Sequence, residues 1–268
     1  MDKPRVVVIG AGGRIGTLLR RHIDSEATCA FAPVYLNRDD WDITSGPPVS
    51  DLKAALVIDL SGVVKGEFGQ NPVLAQAVAS VAKRAKARLI HLSSAAVYPG
   101  GLADMDEDTP PAPPTPYGLS KLAAEQAVRQ VMPNALILRV ANVAGLDALI
   151  GGLRPGIEAV IDPITLDAAG PIRSYIGPMT LAAALRQLIE LELAGNTHPR
   201  TLNLAQPGEI AMAELVAASG HPWRFGPKRD GVLERVVLST VRVQRVLSLA
   251  MATPKTLMSE VNVAGLWP

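Results

Sequence analysis

Three polar residues in the first half of the chain have the types that proton transfer requires. Tyr117 and Lys121 lie four residues apart in a stretch with helical periodicity, "PYGLSKLAAE", so their side chains project from one helix face. A lysine ammonium beside a phenol favours the phenolate, so we expect the pKa of Tyr117 to fall toward the working range. Ser94 follows an apolar run, and its hydroxyl can hydrogen-bond a substrate oxygen while Tyr117 acts as general acid or base.

Each of these residues also has a simpler interpretation. A tyrosine and a lysine at helical spacing usually form a solvated helix face, and a serine after a strand is usually a turn residue. The joint occurrence of Ser94, Tyr117 and Lys121, in this order and behind a glycine-rich turn, favours the catalytic interpretation.

That turn lies in "VVVIGAGGRIGTLLRRHI", residues 6–23, between an apolar β-branched run and an amphipathic helical pattern. Gly10, Gly13 and Gly16 stand at the joint. Glycines there let the backbone turn sharply and approach a bound group, while the start of the helix points N–H groups outward. The stretch therefore predicts a site for a pyrophosphate, and the alternative is a strand-to-helix turn that holds no ligand.

Short apolar strands alternate with helical patterns through the first half of the chain. This alternation predicts an α/β fold with a doubly wound parallel sheet of Rossmann type, whose ligand crevice lies outside the carboxyl ends of the strands. The predicted strands are Val6–Ile9, Pro33–Leu36, Ala55–Leu60, Arg88–Leu92 and Ala135–Val140.

The alternation weakens after Gly145, which suggests two parts. We expect a dinucleotide-binding domain over residues 1–145 and a small C-terminal substrate lobe over 146–268, with part of 171–205 returning to the first domain. The later patterns predict a helix near Leu181–Leu193, a strand at Thr201–Leu204, a helix near Met212–Ser219 and a packed helix within residues 235–247. Residues 99–116, rich in proline, glycine and acid, predict a surface loop.

Composition excludes several classes of protein. The 268 residues carry 26 Lys and Arg against 25 Asp and Glu, so charge gives no case for nucleic acid or a membrane surface. One cysteine, Cys29, cannot form an internal disulfide, and no apolar run is long enough for a membrane span. We expect a soluble cytoplasmic protein. The four histidines show no metal-ligand spacing, and His91 is predicted to be a buried, hydrogen-bonded residue.

Several motifs together resemble the extended short-chain dehydrogenase/reductase family, the group of nucleotide-sugar epimerases, dehydratases and reductases. "GAGGRIG" resembles the family's G-x-x-G-x-x-G cofactor turn, "SSAAVY" its serine strand end and "YGLSK" its Y-x-x-x-K motif. "LRVANVAG" and "GPIRSYIGPMTLAAAL" resemble later family segments. The resemblance covers roughly residues 4–206.

The resemblance implies a role for each matched residue. Ser94, Tyr117 and Lys121 would be catalytic, Lys121 would also touch the nicotinamide ribose, and Asn142 and Arg173 would contact substrate beside Ser94. The cofactor would be bound by Gly10, Gly13, Arg14, Ile15, Gly16, Asn37, Arg38, Asp42, Ile43, Leu60, Ser61, Tyr117 and Lys121. No metal is implied, and a homodimer through the helix containing Tyr117 is compatible with the family.

The choice of cofactor depends on the end of the second strand, in "LNRDDWDIT". An acidic side chain there would accept a hydrogen bond from the ribose 2′-OH of NAD, but Asn37 takes that place. Arg38 follows and can pair with a 2′-phosphate, which favours NADP over NAD. The alternative for Arg38 is an ordinary solvent-facing arginine.

The residues after Ser94 narrow the reaction. Sugar dehydratases of the family carry an Asp-Glu pair where this chain has Ala95 and Ala96, so we expect no dehydratase activity. Reduction, alcohol oxidation or epimerisation of a sugar or nucleotide sugar by hydride transfer remains. The alternative is a non-catalytic NAD(P)-binding redox sensor.

The substrate is less closely defined. Gly177, Pro178 and Met179 replace the acidic pair usual in the family, and residues 62–72 and 145–170 are short beside the family's segments. A smaller pocket and a non-nucleotide substrate therefore stay open. Arg173 can bind an anionic group or be structural.

Overall fold

The computed structural model of the protein describes residues 2–46, 52–101, 103–164 and 170–267. Its helices are α1 (Arg14–Ser25), α2 (Gln70–Arg84), α3 (Pro116–Val131), α4 (Pro178–Leu193), α5 (Met212–Ala218), α6 (Val241–Gln244) and α7 (Pro254–Val263). Its strands are β1 (Arg5–Ile9), β2 (Ala32–Leu36), β3 (Leu56–Asp59), β4 (Arg88–Ser94), β5 (Leu136–Val140), β6 (Asn142–Val143), β7 (Ala159–Ile161), β8 (Ile172–Arg173), β9 (Tyr175–Ile176), β10 (Thr201–Leu204), β11 (Ile210–Ala211), β12 (Trp223–Phe225) and β13 (Arg235–Val236).

A six-stranded sheet in the order β10-β5-β4-β3-β1-β2 forms the centre of the fold. β1 pairs in parallel with both β2 and β3, and β3 pairs in parallel with β4. The order of the strands therefore reverses between β1 and β3. In sheets of this type, ligands bind outside the carboxyl ends of the strands at such a reversal. The predicted doubly wound α/β fold is confirmed.

Apolar side chains explain why the central strands form where they do. Val6–Ile9 are at most 2% exposed, and Leu56–Ile58 are fully buried. α2 and α3 cover one face of the sheet, where Val57 of β3 and Leu89 of β4 pack in one cluster with Ala124 of α3. Strands buried on both faces read as continuous apolar runs, which is the pattern of this sequence.

The chain divides into two compact units. Unit 1 contains Met1–Val97, Pro111–Arg139 and Ala182–Leu202. Unit 2 contains Tyr98–Pro110, Val140–Leu181 and Asn203–Pro268, with a three-stranded sheet in the order β11-β8-β13 and a core that includes Tyr175, Leu257 and Val261. Within the described ranges, no helix has the length and the apolar character that crossing a membrane would require.

The predicted elements agree with the structure closely, with one error. The predicted strands coincide with β1–β5 and β10 to within two residues, and α4 begins three residues before the expected start. The packed helix predicted within residues 235–247 is wrong: it is β13, a stretch of loop and the four-residue α6. β13 pairs with β8, and the backbone N–H of Ser239 donates to the Met105 carbonyl oxygen. The first residues of the expected helix therefore form strand-like hydrogen bonds instead.

Candidate active site

Unit 1 brings Ser94, Tyr117 and Lys121 together. Ser94 is the last residue of β4, one position beyond a run of buried residues, and is itself half-buried. Tyr117 is at the second position of α3, and its side chain lies close enough to that of Ser94 for the serine to affect the pKa of the phenol. Lys121 follows one turn later and is 5% exposed. The structure therefore places the predicted serine, tyrosine and lysine in one site.

The start of α3 is fixed by local chemistry. Thr115 caps the helix, because its hydroxyl accepts the Gly118 N–H at 3.1 Å, and Pro116 occupies the first turn, where no N–H is needed. Gly118 packs so closely on the turn after β4 that a Cβ would overlap the Ala96 carbonyl oxygen. Cap, proline and glycine together hold Tyr117 beside the end of β4.

Burial sets the protonation of Tyr117. It raises the pKa of the phenol above its ordinary value of 10.0, while the neighbouring Ser94 side chain acts in the opposite direction. The expectation of a lowered pKa is therefore wrong for this structure. The physical reason is burial of the phenol, and Lys121 does not contribute to the shift; its Nζ donates to the Leu92 carbonyl oxygen at 2.7 Å.

Lys121 is a buried cation with two carboxylates near it. Burial lowers the pKa of its ammonium group from 10.5, and the charges of Asp59 and Glu125 oppose that shift. Glu125 lies on the same helix and forms an ion pair with Arg139 at 2.9 Å. Asp59 is the last residue of β3. The ammonium is therefore held by the Leu92 carbonyl in a buried setting of opposite charge.

The glycine turn follows β1 and leads into α1. Gly10 has φ +80°, and a Cβ there would lie 2.8 Å from the Leu60 carbonyl carbon, so both conformation and space require glycine. Gly13 is the N-cap of α1 and provides no side-chain cap, which leaves N–H groups of the first turn without that partner. Arg14, Ile15 and Gly16 form the first turn itself.

A cavity of about 600 Å³ opens at the carboxyl ends of β1, β2 and β3 in unit 1. Its lining includes eight of the predicted cofactor residues: Gly10, Gly13, Asn37, Arg38, Asp42, Ile43, Leu60 and Ser61. Gly12, Trp41, Gly62 and Val63 also line it and were not predicted. Arg14, Ile15 and Gly16 lie on α1 behind the turn, and Tyr117 and Lys121 lie on α3. A volume of this size is typical of ligand pockets.

Comparison with known proteins connects this geometry to a family. The model of the RmlD substrate binding domain matches residues 67–148. The dTDP-4-dehydrorhamnose reductase of Mycobacterium tuberculosis (strain H37Rv) is 29% identical over 93% of this chain and 81% of its own length. The extended short-chain dehydrogenase/reductase resemblance is thereby confirmed. The chain is similar to members of that family over most of its length.

Solved structures show the same fold. A dTDP-4-dehydrorhamnose reductase from Clostridium acetobutylicum superposes with a TM-score of 0.75 at 15% identity and covers 97% of this chain and 99% of its own. A dTDP-4-dehydrorhamnose reductase from Bacillus anthracis in complex with NADP has a TM-score of 0.71 at 18% identity, with coverage of 98% and 99%. At these identities the two structures show that this chain shares their fold, and the second of them holds NADP.

The residues present fit such a cofactor. The turn at Gly10 leaves no room for a side chain, and α1 begins at Gly13 without a side-chain cap, so backbone N–H groups are available to a pyrophosphate. Gly12 and Gly13 are exposed at the cavity. The glycine turn and the start of α1 therefore both lie at the cavity, where a pyrophosphate would bind.

The end of β2 forms the opposite part of the cavity. Asn37 accepts the backbone N–H of Asp39 at 2.8 Å through its side-chain oxygen, so it shapes the turn. Arg38 is exposed. Asp42 accepts the Thr44 hydroxyl at 2.7 Å, and this hydrogen bond is the main cause that lowers the pKa of the Asp42 carboxyl. Its carboxylate is therefore partly engaged within the turn, while Arg38 is available to a ligand.

Both further substrate-contact candidates belong to unit 2. Asn142 begins β6 and is half-buried, paired with Tyr175 of β9. Arg173, on β8, donates to the carbonyl oxygens of Leu233 at 2.6 Å and Ile172 at 2.8 Å. Burial lowers the pKa of its guanidinium group. The Arg173 side chain is thus already engaged with the backbone of its own unit.

Two residues beside the site were missed from the sequence. Phe68 packs edge-on against the ring of Tyr117, with centroids 5.8 Å apart, and it comes from the shortened segment at residues 62–72. Asp59 is fully buried and contacts His91, with Oδ2 and Nδ1 2.7 Å apart. An acid at the end of the apolar run "LVID" was the available signal. The prediction of a buried, hydrogen-bonded His91 is confirmed.

Proposed function

We propose that this protein is an NADPH-dependent reductase that converts a ketone of a nucleotide-linked sugar into an alcohol. The observation that carries the proposal is the placement of Tyr117 beside Ser94 at the end of β4, in a chain whose relative over most of its length is named dTDP-4-dehydrorhamnose reductase. The proposed substrate class is accordingly a dTDP-linked 4-keto sugar.

Tyr117 acts as the general acid in this proposal. Its hydroxyl gives a proton to the carbonyl oxygen as that carbon receives a hydride, so that a ketone, a hydride and a proton become an alcohol. Ser94 donates a hydrogen bond to the same oxygen. Burial raises the pKa of Tyr117, which keeps the phenol protonated at neutral pH. The protonated form is the one that reduction needs.

In this scheme Lys121 has a positioning role and does not itself transfer a proton. Its ammonium is fixed at the Leu92 carbonyl, with a carboxylate of opposite charge nearby, and by family resemblance it contacts the nicotinamide ribose. The bound cofactor supplies the hydride. Asn142 and Arg173 remain proposed substrate contacts, with Arg173 also serving the backbone of unit 2.

NADPH is the proposed reductant because of the end of β2. Asn37 offers no carboxylate to a ribose 2′-OH, and Arg38 is an exposed cation at the cavity, suited to a 2′-phosphate. A reductase that releases NADP after each turnover needs no permanently bound cofactor, whereas an epimerase needs one that is retained.

The residues after Ser94 argue against elimination. Ala95 and Ala96 form a short turn with no acid or base, so we propose that the protein is not a dehydratase. Among the named relatives that match, reductases are the common activity, which disfavours the non-catalytic sensor. Cytoplasmic location and a homodimer stay predictions.

The test is an absorbance assay for NADPH consumption with dTDP-4-dehydrorhamnose, with product analysis by NMR. We expect turnover with NADPH, no turnover by Tyr117→Phe, and nearly unchanged NADPH affinity in that variant by calorimetry. A parallel assay uses UDP-glucose with NAD. Interconversion of UDP-sugars without net NAD reduction, and no NADPH consumption, would replace the reductase with an epimerase. Reduction of the free sugar but not of the dTDP-sugar would show that the substrate is not nucleotide-linked.

A further inference from the structure

A buried aspartate and histidine lie beside Lys121. Asp59 of β3 and His91 of β4 are directly opposite each other in the parallel pairing of these strands. Asp59 is 0% exposed and His91 1% exposed. Their Oδ2 and Nδ1 atoms are 2.7 Å apart. Neither residue was assigned a catalytic or binding role from the sequence; His91 lies on β4, three positions before Ser94, and Asp59 lies on the neighbouring strand β3.

The other oxygen of Asp59 holds the cavity loop. Asp59 Oδ1 accepts the backbone N–H of Ser61 at 3.0 Å and the Ser61 hydroxyl at 2.5 Å. Ser61 and the next residue, Gly62, line the cofactor cavity. One carboxylate therefore connects β4 with the loop that follows β3.

The Lys121 ammonium lies against the same two segments. Its Nζ donates to the carbonyl of Leu92, the residue next to His91. A Cβ placed on Gly62 would be 3.8 Å from that Nζ, so the ammonium also lies beside the loop that Asp59 holds. The contacts of Asp59 and those of Lys121 thus converge between β4 and residues 61–62.

The charges are complementary. Asp59 Oδ2 is acceptor only, so Nδ1 of His91 carries the proton of their hydrogen bond. His91 Nε2 is buried and has no partner among the described residues, and a second proton there would be a buried donor without an acceptor. We therefore assign the neutral imidazole to His91. The pair then carries one negative charge, opposite to that of Lys121.

The other nearby carboxylate is already neutralised. Glu125 forms an ion pair with Arg139 and accepts the Ser93 hydroxyl at 2.5 Å. The charges of Asp59 and Glu125 both oppose the effect of burial on the Lys121 pKa, and the effect of Asp59 is the larger. The buried or half-buried titratable, charged and polar groups on the elements packed here include Asp59, Asn71, His91, Ser93, Ser94, Tyr117, Ser120, Glu125 and Arg139.

We propose that Asp59, oriented by His91, is the positioning residue that keeps the Lys121 ammonium charged and in place while it anchors Ser61 at the cofactor cavity. The proposal deepens the proposed function and rests on it for the role of Lys121. The effect of the Asp59 charge on Lys121 needs no bound ligand. A buried ammonium without this carboxylate would lose its proton more readily, because burial favours the neutral amine.

The test follows the titration of Lys121 in the ligand-free protein by NMR of ¹³C,¹⁵N-labelled lysine, with the signal assigned by its loss in Lys121→Met. We expect Asp59→Asn to move the titration midpoint down by about one pH unit, a tenfold change in the protonation equilibrium. Ser61→Ala is the matched control, because it removes a donor to Asp59 and keeps the carboxylate. Its Lys121 midpoint should stay at the wild-type value.

A second readout is NADPH affinity by calorimetry across the same pH range. Asp59→Asn should bind NADPH with wild-type affinity at low pH and more weakly than wild type between the two Lys121 midpoints. If Asp59→Asn does not fold, as judged by circular dichroism, Asp59→Ser replaces it with the same expected direction. An unchanged Lys121 midpoint in the folded variant would overturn the proposal. Because the titration needs no substrate, a wild-type protein with the expected shift but no ketone reduction would overturn the proposed function alone.

Discussion

Gly118 packs against Ala96 with no space for a side chain, since a Cβ on Gly118 would overlap the Ala96 carbonyl oxygen. Because Gly118 follows Tyr117 directly, this contact sets the distance between α3 and the end of β4. The position of the proposed general acid therefore depends on a glycine that carries no chemistry of its own.

Gly118→Ala should damage both stability and turnover. Overpacking of this kind costs about 1–3 kcal/mol, and relief requires α3 to move away from Ser94. We expect a lower urea midpoint and a kcat at least tenfold below wild type. Leu119→Ala, at the neighbouring exposed position, is the control and should keep both values. A Gly118→Ala variant with wild-type kcat would show that the contact does not position Tyr117.

Tyr117 should stay protonated in the free protein well into the alkaline range. Burial raises the pKa of its hydroxyl above 10.0, so phenolate forms only as the pH rises through that higher value. The measurement is the phenolate absorbance at alkaline pH in wild type and in Tyr117→Phe. At pH 10 the difference between the two spectra should correspond to less than half of one phenolate, because the pKa lies above 10.0. A phenolate signal near pH 8 that Tyr117→Phe removes would contradict the assignment.

Arg38→Asp should weaken NADP binding and favour NAD. The substitution removes a cation suited to the 2′-phosphate and introduces an acceptor for the ribose 2′-OH. Loss of a charged hydrogen bond is worth about 1.5–3 kcal/mol, or roughly tenfold to more than a hundredfold in Kd by calorimetry. Arg21→Asp makes the same charge change at an exposed position of α1 and is the control. Equal NADP affinity in Arg38→Asp and Arg21→Asp would remove Arg38 from cofactor selection.

Arg173→Met separates a structural role from substrate binding. The guanidinium holds the carbonyls of Ile172 and Leu233, so its loss should destabilise unit 2 by about 1.5–3 kcal/mol. Unfolding in urea, compared with Arg154→Met at an exposed position of the same unit, measures this effect. Unchanged stability with a large rise in KM would assign Arg173 to the substrate instead.

Phe68→Ala should lower turnover more than cofactor affinity. The edge-on ring contact restricts the Tyr117 side chain, and such aromatic pairs contribute about 0.5–1.5 kcal/mol. We expect kcat to fall several-fold, with NADPH affinity within twofold of wild type. Val64→Ala, an exposed apolar residue of the same loop, is the control. A wild-type kcat in Phe68→Ala would leave the ring without a positioning role.

The sequence predicted those features that local patterns determine. Glycine spacing placed the turn at Gly10–Gly16, and helical spacing placed Tyr117 and Lys121 on one face of α3. Strand alternation predicted which strand ends meet. Each of these follows from residues within a few positions of one another, together with the regular geometry of parallel sheets.

Tertiary contacts were not predictable in the same way. The Lys121 ammonium binds the carbonyl of Leu92, 29 positions earlier, and burial of the Tyr117 phenol raises its pKa; helical spacing alone shows neither. Arg173 binds a carbonyl 60 positions later. Asp59 and His91 meet only because β3 and β4 are neighbours in that register. Such contacts depend on side-chain direction in the folded chain.

Hydride transfer from NADPH to a ketone at the site of Ser94, Tyr117 and Lys121 defines the proposed reaction. The most direct measurement uses NADPH dideuterated at C4 of the nicotinamide with dTDP-4-dehydrorhamnose, and mass spectrometry with NMR of the product. Our account predicts one deuterium at the former carbonyl carbon with wild type and none above background with Tyr117→Phe. A wild-type protein that binds NADPH but gives no deuterated product would contradict the proposed reaction.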